Sequence, residues 1–216
     1  KEIYNYVREV SADCWNESTT IMAFADIDYF KFMYKTQLNE YEPATLLGLD
    51  KFAYTSVLDG VTGAFLDWYA QYTIANLAVL KGEYPFHKRN GCTVLEHYSQ
   101  LKNGQTLILS MPFSATGNIH DDYYSIIEHC RNNKIDILLD CAYLNISGIG
   151  DIDINTPCIK SVATSLSKVY ATGMNKIGIK FDREEHQTPV KQLNDWYYLN
   201  HFSMNLHLKL FDKFKL

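Results

Sequence analysis

The stretch Ile159-Lys160-Ser161-Val162-Ala163-Thr164, running directly into Ser165-Leu166-Ser167-Lys168, decides how the rest of the chain is read. Its first part is a short apolar run bounded by turn residues, the pattern of a buried strand. The second part is a hydroxyl-rich turn that ends on a lysine. Working outward, Thr106–Met111, Ile135–Leu139 and Lys176–Phe181 read as strands of the same kind. Between them, Asp121–Asn132 reads as a helix opened by carboxylates, and Val61–Leu80 as a helix with apolar residues at Ala64, Phe65, Trp68, Tyr69, Tyr72 and Leu80. Thr188-Pro189 is an N-cap followed by a first-turn proline, predicting one long terminal helix through about Lys213. Strands alternating with helices predict an α/β fold: a mostly parallel sheet with helices on both faces. In such sheets functional groups gather just past the carboxyl ends of the strands.

Composition narrows the function. The 216 residues are 47% hydrophobic and 14% aromatic, enough for a substantial core. A formal net charge of −5, with no basic block, speaks against nucleic acid as a partner. No apolar run reaches the roughly 18 residues of a membrane helix, so no membrane association is expected. The first residues, Lys1-Glu2-Ile3-Tyr4, mix charges where a secretion signal would be apolar. The chain opens on Lys1 rather than Met, as a piece of a longer protein would. Cys14, Cys92, Cys130, Cys141 and Cys158 are scattered and contain no C-x-x-C pair. Neither a metal site nor a disulfide framework is therefore expected, and a reducing, cytoplasmic setting is the default.

Four junctions, the Ser165–Lys168 turn among them, carry unusual polar chemistry. Asp140-Cys141-Ala142-Tyr143 follows Ile135–Leu139; Pro112-Phe113-Ser114-Ala115-Thr116-Gly117 follows Thr106–Met111; Gly60-Val61-Thr62-Gly63 precedes the first helix, where free amides bind anions. Taken singly, these are a turn aspartate, a solvated lysine and ordinary loops. Taken in order, they resemble the large domain of the fold-type-I pyridoxal-phosphate enzymes, the aspartate aminotransferase superfamily. Ser165-Leu-Ser-Lys168, followed by Gly173 and by Lys176 before Ile177-Gly178, is similar to that family's Ser-x-x-Lys segment. Asp140-Cys-Ala-Tyr143 is similar to its Asp-x-Ala-Tyr, and Ser114-Ala-Thr-Gly117 to its Asn-Pro-Thr-Gly turn. Gly60–Ala64 falls where the family has its phosphate loop, and Tyr84-Pro85 where an aromatic covers the cofactor ring. The collinear match spans roughly residues 50 to 182.

The resemblance implies pyridoxal 5'-phosphate as cofactor and assigns roles. Lys168 would form the Schiff base and shuttle the proton at the substrate's alpha carbon. Asp140 would keep the pyridine nitrogen protonated, and Tyr143 would donate to the ring's 3-oxygen. The phosphate would lie on the amides beyond Gly60, those of Val61 and Thr62, with the Thr62 and Ser165 hydroxyls and the Lys176 ammonium as further donors. Tyr84 would stack on the ring. Ser114 stands where the family has its asparagine, and Lys176 where it has an arginine, giving charge without the bidentate fork.

Only 40 residues follow Lys176, too few for the family's small C-terminal domain. The segment between Tyr84 and Ser114 is short enough to have lost a strand–helix unit, and Arg183, in Asp-Arg-Glu-Glu, reads as a solvated loop charge. The expected organisation is an N-terminal segment (1–50), a cofactor-binding domain (51–185) and a C-terminal helix (186–216). The expected activity is amino-group transfer between a small-molecule amino donor and a keto acid or sugar, in a homodimer. Tyr29 or Tyr34 is the candidate to reach the partner's phosphate. A lyase, decarboxylase or synthase on the same scaffold, and a relative that binds cofactor or a partner without turnover, are the alternatives. An unrelated nucleotide-binding α/β domain ranks last, because Gly60–Gly63 is not a G-x-G-x-x-G loop.

Overall fold

A computed structural model describes residues 2–18 and 26–215. Two helices come first, α1 (Glu2–Ser18) and α2 (Asp26–Glu40), then the short strand β1 (Leu46–Leu47) and strand β2 (Tyr54–Leu58). Helix α3 (Thr62–Gln71), strand β3 (Leu77–Leu80), helix α4 (Pro85–Arg89) and strands β4 (Thr93–Leu95) and β5 (Thr106–Ser110) follow. Next come α5 (Tyr123–Asn132), β6 (Asp136–Cys141), β7 (Ile152–Asp153), β8 (Ile159–Thr164) and β9 (Gly178–Asp182). Helices α6 (Pro189–Asp195) and α7 (His201–Lys213) close the chain.

Seven strands form one sheet in the order β2-β9-β8-β6-β5-β3-β4, while β1 pairs with β7 apart from it. β4, β3, β5, β6 and β8 are mutually parallel. β9 is antiparallel to both of its neighbours, β2 and β8. It therefore runs against the other six.

Both faces of the sheet are covered. Leu107, Leu109, Ile137 and Leu139 join a core with Ile126 of α5 and Leu210 of α7, while Ile108 and Leu138 join a second core with Phe65 and Trp68 of α3. This alternation explains why β5 and β6 are buried at nearly every position and carry unbroken apolar runs at their centres: a strand buried on two sides has no solvent face to mark. The α/β architecture with a mostly parallel sheet is the one the sequence predicts.

Five expectations need correction. The apolar run read as one helix over Val61–Leu80 is helix α3 followed by strand β3. Leu77-Ala-Val-Leu80 is buried at all four positions, between β4 and β5. A four-residue apolar run carries no period of its own, so the neighbouring helix captured it. The segment between Tyr84 and Ser114 has not lost its secondary structure, since α4 and β4 lie there.

The long terminal helix is two helices. Thr188 does cap α6, accepting from the Lys191 N–H. Near its end, however, Asn194 turns its amide to edge strand β2, where Oδ1 accepts from Val57 N–H at 2.8 Å and Nδ2 donates to Val57 C=O at 3.0 Å. The chain then reverses through Tyr197, at φ 60°, and restarts at Asn200, whose side chain caps α7. Arg183 is not a free charge either. Its guanidinium donates to the carbonyls of Ile159 and Ile154 and lies over the Phe52 ring. Tyr34, a candidate to reach a partner's phosphate, is fully buried in its own subunit and accepts a hydrogen bond from Thr164.

Where β9 passes α3, the ammonium of Lys180 bonds Asp67 and lies 3.2 Å from Asp182, which also accepts from Ser161. All three charged groups are buried. Removing the one cation leaves two desolvated carboxylates without compensation. Lys180→Met is expected to lower the free energy of unfolding by about 3–5 kcal/mol. Urea denaturation near neutral pH checks this, and a loss under about 1 kcal/mol would contradict the triad's role.

Candidate active site

The direction of β9 assembles the site. The carboxyl ends of β2, β3, β5, β6 and β8 all point to one edge of the sheet, and the reversed β9 begins at that same edge. The loops arriving there enclose a cavity of about 1020 Å³. Gly60, Val61, Thr62, Tyr84, Ser114, Asp140, Tyr143, Ser165, Lys168 and Lys176 all line it. The residues that the sequence assigns to the cofactor within one chain are thus brought to one place, whereas Tyr29 and Tyr34 are not among its lining.

Two glycines make the approach of β2 and β9 possible. Gly60 takes φ +79°, a conformation costly for other residues, and a Cβ on it would lie 3.4 Å from Lys176 Cβ. A Cβ on Gly178 would meet Thr164 O at 2.6 Å. With neither side chain present, the stem of Lys176 packs over Gly60 at the start of α3. The turn bonds there are made by the N–H groups of Gly63, Ala64 and Phe65, which leaves Val61 and Thr62 as the amides at the cavity wall. Helix-terminal amides beside an ammonium make a cradle for an anion of phosphate size.

The Lys168 turn is fixed from below. Ser165 Oγ donates to Ile177 C=O at 2.8 Å and Ser167 Oγ donates to the same carbonyl at 3.1 Å, while Ile177 N–H donates to Ser167 Oγ at 2.8 Å. Ser165 therefore lines the cavity with its proton committed to the backbone. The two serines lock the lysine turn to Ile177, in the segment that leads from Lys176 into β9. Lys168 itself is exposed to the cavity, with Nζ 5.1 Å from the centre of the Tyr143 ring.

Asp140 sits at the end of β6, on the cavity floor. Its Oδ1 accepts from Ala142 N–H at 2.9 Å. Burial pushes its pKa up to about 7, against the Ala142 N–H and the Lys168 charge, which lower it; the nearby Glu83 carboxylate raises it further. A carboxyl held so high takes its negative charge readily only when a cation comes to face it.

Tyr84 and Tyr143 are about half exposed at the rim, at 48% and 52%. Tyr84 stands at the start of α4 with its ring stacked on Phe86, the planes 11° apart. Ser114 Oγ faces inward, 3.1 Å from Glu83 Oε2 and 3.0 Å from Ser110 Oγ.

Sequence reasoning missed Glu83 and Ser110. Both lie by the carboxyl end of a strand, Glu83 just past β3 and Ser110 closing β5. The strand-end rule would have found Glu83, but reading Val61–Leu80 as a single helix hid the strand that ends beside it.

Neither a family profile nor a curated protein matches the sequence. Comparison of folds does find matches. The PLP-bound C-S lyase of Staphylococcus hominis superposes with a TM-score of 0.63 at 10% identity, over 99% of this chain and 60% of that one. BacF of Bacillus subtilis gives 0.67 at 11% identity, over 99% and 61%. Tyrosine aminotransferase of Leishmania infantum gives 0.64 at 14%, over 99% and 61%. This chain has the fold of the fold-type-I pyridoxal-phosphate enzymes. It spans about three-fifths of the length of these pyridoxal-phosphate-fold relatives.

The raised pKa of Asp140 has a measurable sign. Its value in the unfolded chain is near 3.8 and in the fold about 7. The fold therefore loses stability from this group as pH rises between those values, and keeps it below them. Asp140→Asn is expected to match the parent near pH 4 and to exceed it by roughly 2–4 kcal/mol near pH 8. Chemical denaturation across that range checks this, and a difference independent of pH would contradict the buried, uncompensated carboxyl.

Proposed function

We propose that the chain is a pyridoxal-phosphate-dependent enzyme of aminotransferase type, with Lys168 as the residue that carries the cofactor. The observation behind this reading is the placement of Lys168, Asp140 and the Gly60–Thr62/Lys176 cradle around one cavity. These are an amine, a buried carboxyl and an anion site, the complementary partners of an aldehyde, a pyridine nitrogen and a phosphate. The residues fit that group, and the fold is the one in which it is found. When bound, it supplies a carbonyl that condenses with primary amines and a ring that draws electrons from the substrate's alpha carbon.

The chain's own residues do the rest. Val61 and Thr62 amides and the Lys176 ammonium hold the phosphate, and Gly60 lets the chain turn tightly enough to present them. Asp140, pushed toward neutrality by burial, would face the ring nitrogen and would favour its protonated form by ionising against it. Tyr143, whose ring lies beside Lys168, would donate from its hydroxyl to the cofactor ring's 3-oxygen, and Tyr84 would stack on that ring. Lys168, an amine open to the cavity, would carry the cofactor and would also be placed to take and return a proton at the substrate's alpha carbon.

Amino-group transfer to a keto acid or sugar is the reading we favour. A lyase, decarboxylase or synthase uses the same cofactor residues, and the relatives found by fold include a C-S lyase beside aminotransferases. A chain that binds the cofactor without turnover remains the third reading. Assembly as a homodimer is part of the proposal: the cavity is open at Tyr84 and Tyr143, and the exposed Tyr29 of α2 is the remaining candidate to reach a partner's phosphate.

Adding pyridoxal phosphate to the purified protein is expected to produce the visible absorbance band of a lysine-linked cofactor. Lys168→Ala is expected to abolish that band while leaving the melting temperature within a few degrees. A band that survives in Lys168→Ala removes Lys168 from its role. Discharge of the band by amino acids, and its return with keto acids, supports transfer; discharge with release of ammonia or a thiol supports the lyase reading, and no discharge the non-catalytic one.

A further inference from the structure

Beneath the cavity lies a carboxyl that neither the sequence resemblance nor the proposed function uses. Glu83 is only 8% exposed and accepts hydrogen bonds from Ser110 N–H at 2.8 Å, Ser110 Oγ at 2.5 Å and Ser114 Oγ at 3.1 Å, among others. Such a site is not empty polar packing. A buried carboxylate is expensive, and hydrophobic neighbours would have been cheaper if it served only to fill space.

Ser110 connects it to Asp140. The two residues face each other across β5 and β6, where Ser110 is the register partner of Asp140. The Ser110 hydroxyl that donates to Glu83 thus stands on the strand position beside Asp140, and the Glu83 charge raises the pKa of Asp140. Burial pushes Glu83 up as well, against the donors from Ser110, Ser114 and the Tyr84 N–H. The other charged groups around them are few. Lys168 faces Asp140 from the turn after β8, and His87, next along α4, is kept neutral by burial with a pKa down to about 4. Two buried carboxyls, one bonded to Ser110 and the other on the strand position beside it, do not both ionise readily; they titrate as a pair.

We propose that Glu83 and Asp140 hold one proton between them through Ser110, which makes Glu83 the positioning residue that sets the charge on Asp140. Without a ligand the proton resides on either acid. When a cationic ring nitrogen comes to face Asp140, Asp140 gives its proton to Ser110 Oγ and Ser110 passes its own to Glu83 Oε2. One O–H bond breaks at Asp140 and one forms at Glu83, so no proton leaves the protein. Asp140 becomes the full anion its partner needs, and Glu83 becomes a neutral acid that no longer repels it. The consequence for the cofactor rests on the reading given under Proposed function, whereas the shared proton is a property of the chain alone.

The test uses Glu83→Gln, which keeps the side chain's shape and an oxygen to accept from the Ser110 N–H but cannot carry the charge. In the protein without cofactor, the side-chain carboxyl carbons of Asp and Glu are followed by carbon-13 NMR across pH, with Asp140→Asn identifying the Asp140 signal. The parent is expected to show Asp140 and Glu83 each responding to two shared steps. Glu83→Gln is expected to show Asp140 in a single step, moved to lower pH by about half a unit or more. An Asp140 midpoint unmoved in Glu83→Gln would overturn the pairing, because a merely structural Glu83 would leave it in place.

With pyridoxal phosphate added, the pH midpoint of the visible band is expected to stay within a few tenths of the parent in Glu83→Gln, since both side chains are then neutral. A fall of about one unit would show an anionic Glu83 in the loaded protein and overturn the proton's assignment. A parent protein that forms no Lys168-dependent band defeats the cofactor reading instead, and the carbon-13 titration still decides the pairing.

Discussion

The reversed strand β9 is the constraint on which the site depends. In a wholly parallel sheet, residues leading into a strand lie at the edge opposite the residues leaving its neighbours. Because β9 runs against β2 and β8, its approach, Lys176 to Gly178, comes to the edge where Gly60 leaves β2 and Lys168 follows β8. The reversal is held by close contact: the missing side chains of Gly60 and Gly178 let the two segments touch. It is held from beneath by Lys180, which anchors β9 to Asp67 of α3. The cradle of helix-terminal amides and ammonium, the lysine turn and the packing of α3 on the sheet are therefore consequences of one strand direction.

Charge is distributed across the cavity to match. The cations, Lys168 and Lys176, stand at the walls in reach of solvent, and the acids, Asp140 and Glu83, lie buried at the floor. An exposed ammonium keeps its hydration until a ligand arrives, whereas a buried carboxyl has already lost its own. The floor is thus primed to gain from a cation and the wall from an anion. A ligand that presents both at a fixed separation is selected over one that presents either alone.

Much of this was legible in the sequence, and the unread parts share physical causes. Strands β5, β6 and β8 were readable because a strand buried on both faces is a short apolar run ended by a polar turn, and those turns carried Ser114, Asp140 and Lys168. β3 was not, because Leu77–Leu80 abuts a helix with its own apolar face and offers too few residues to show a period. Losing β3 cost Glu83, the residue just beyond it. The break between α6 and α7 was hidden for another reason: Asn194 is an ordinary helix-surface residue in sequence, and only its pairing with the backbone of Val57 shows why the helix stops near it. Lys180, Asp67 and Asp182 are distant in sequence and meet only across the sheet, so no local pattern announces them.

The proposed role of Lys168, an amine that would carry pyridoxal phosphate, is chemical and local. Reduction of the protein–cofactor mixture with borohydride makes such a linkage permanent, and mass spectrometry of the digested protein locates it. The account predicts one phosphopyridoxyl group per chain, on the peptide containing Lys168, at cofactor equimolar with protein. Modification centred on Lys176, spread over surface lysines such as Lys51 and Lys81, or absent altogether would contradict it.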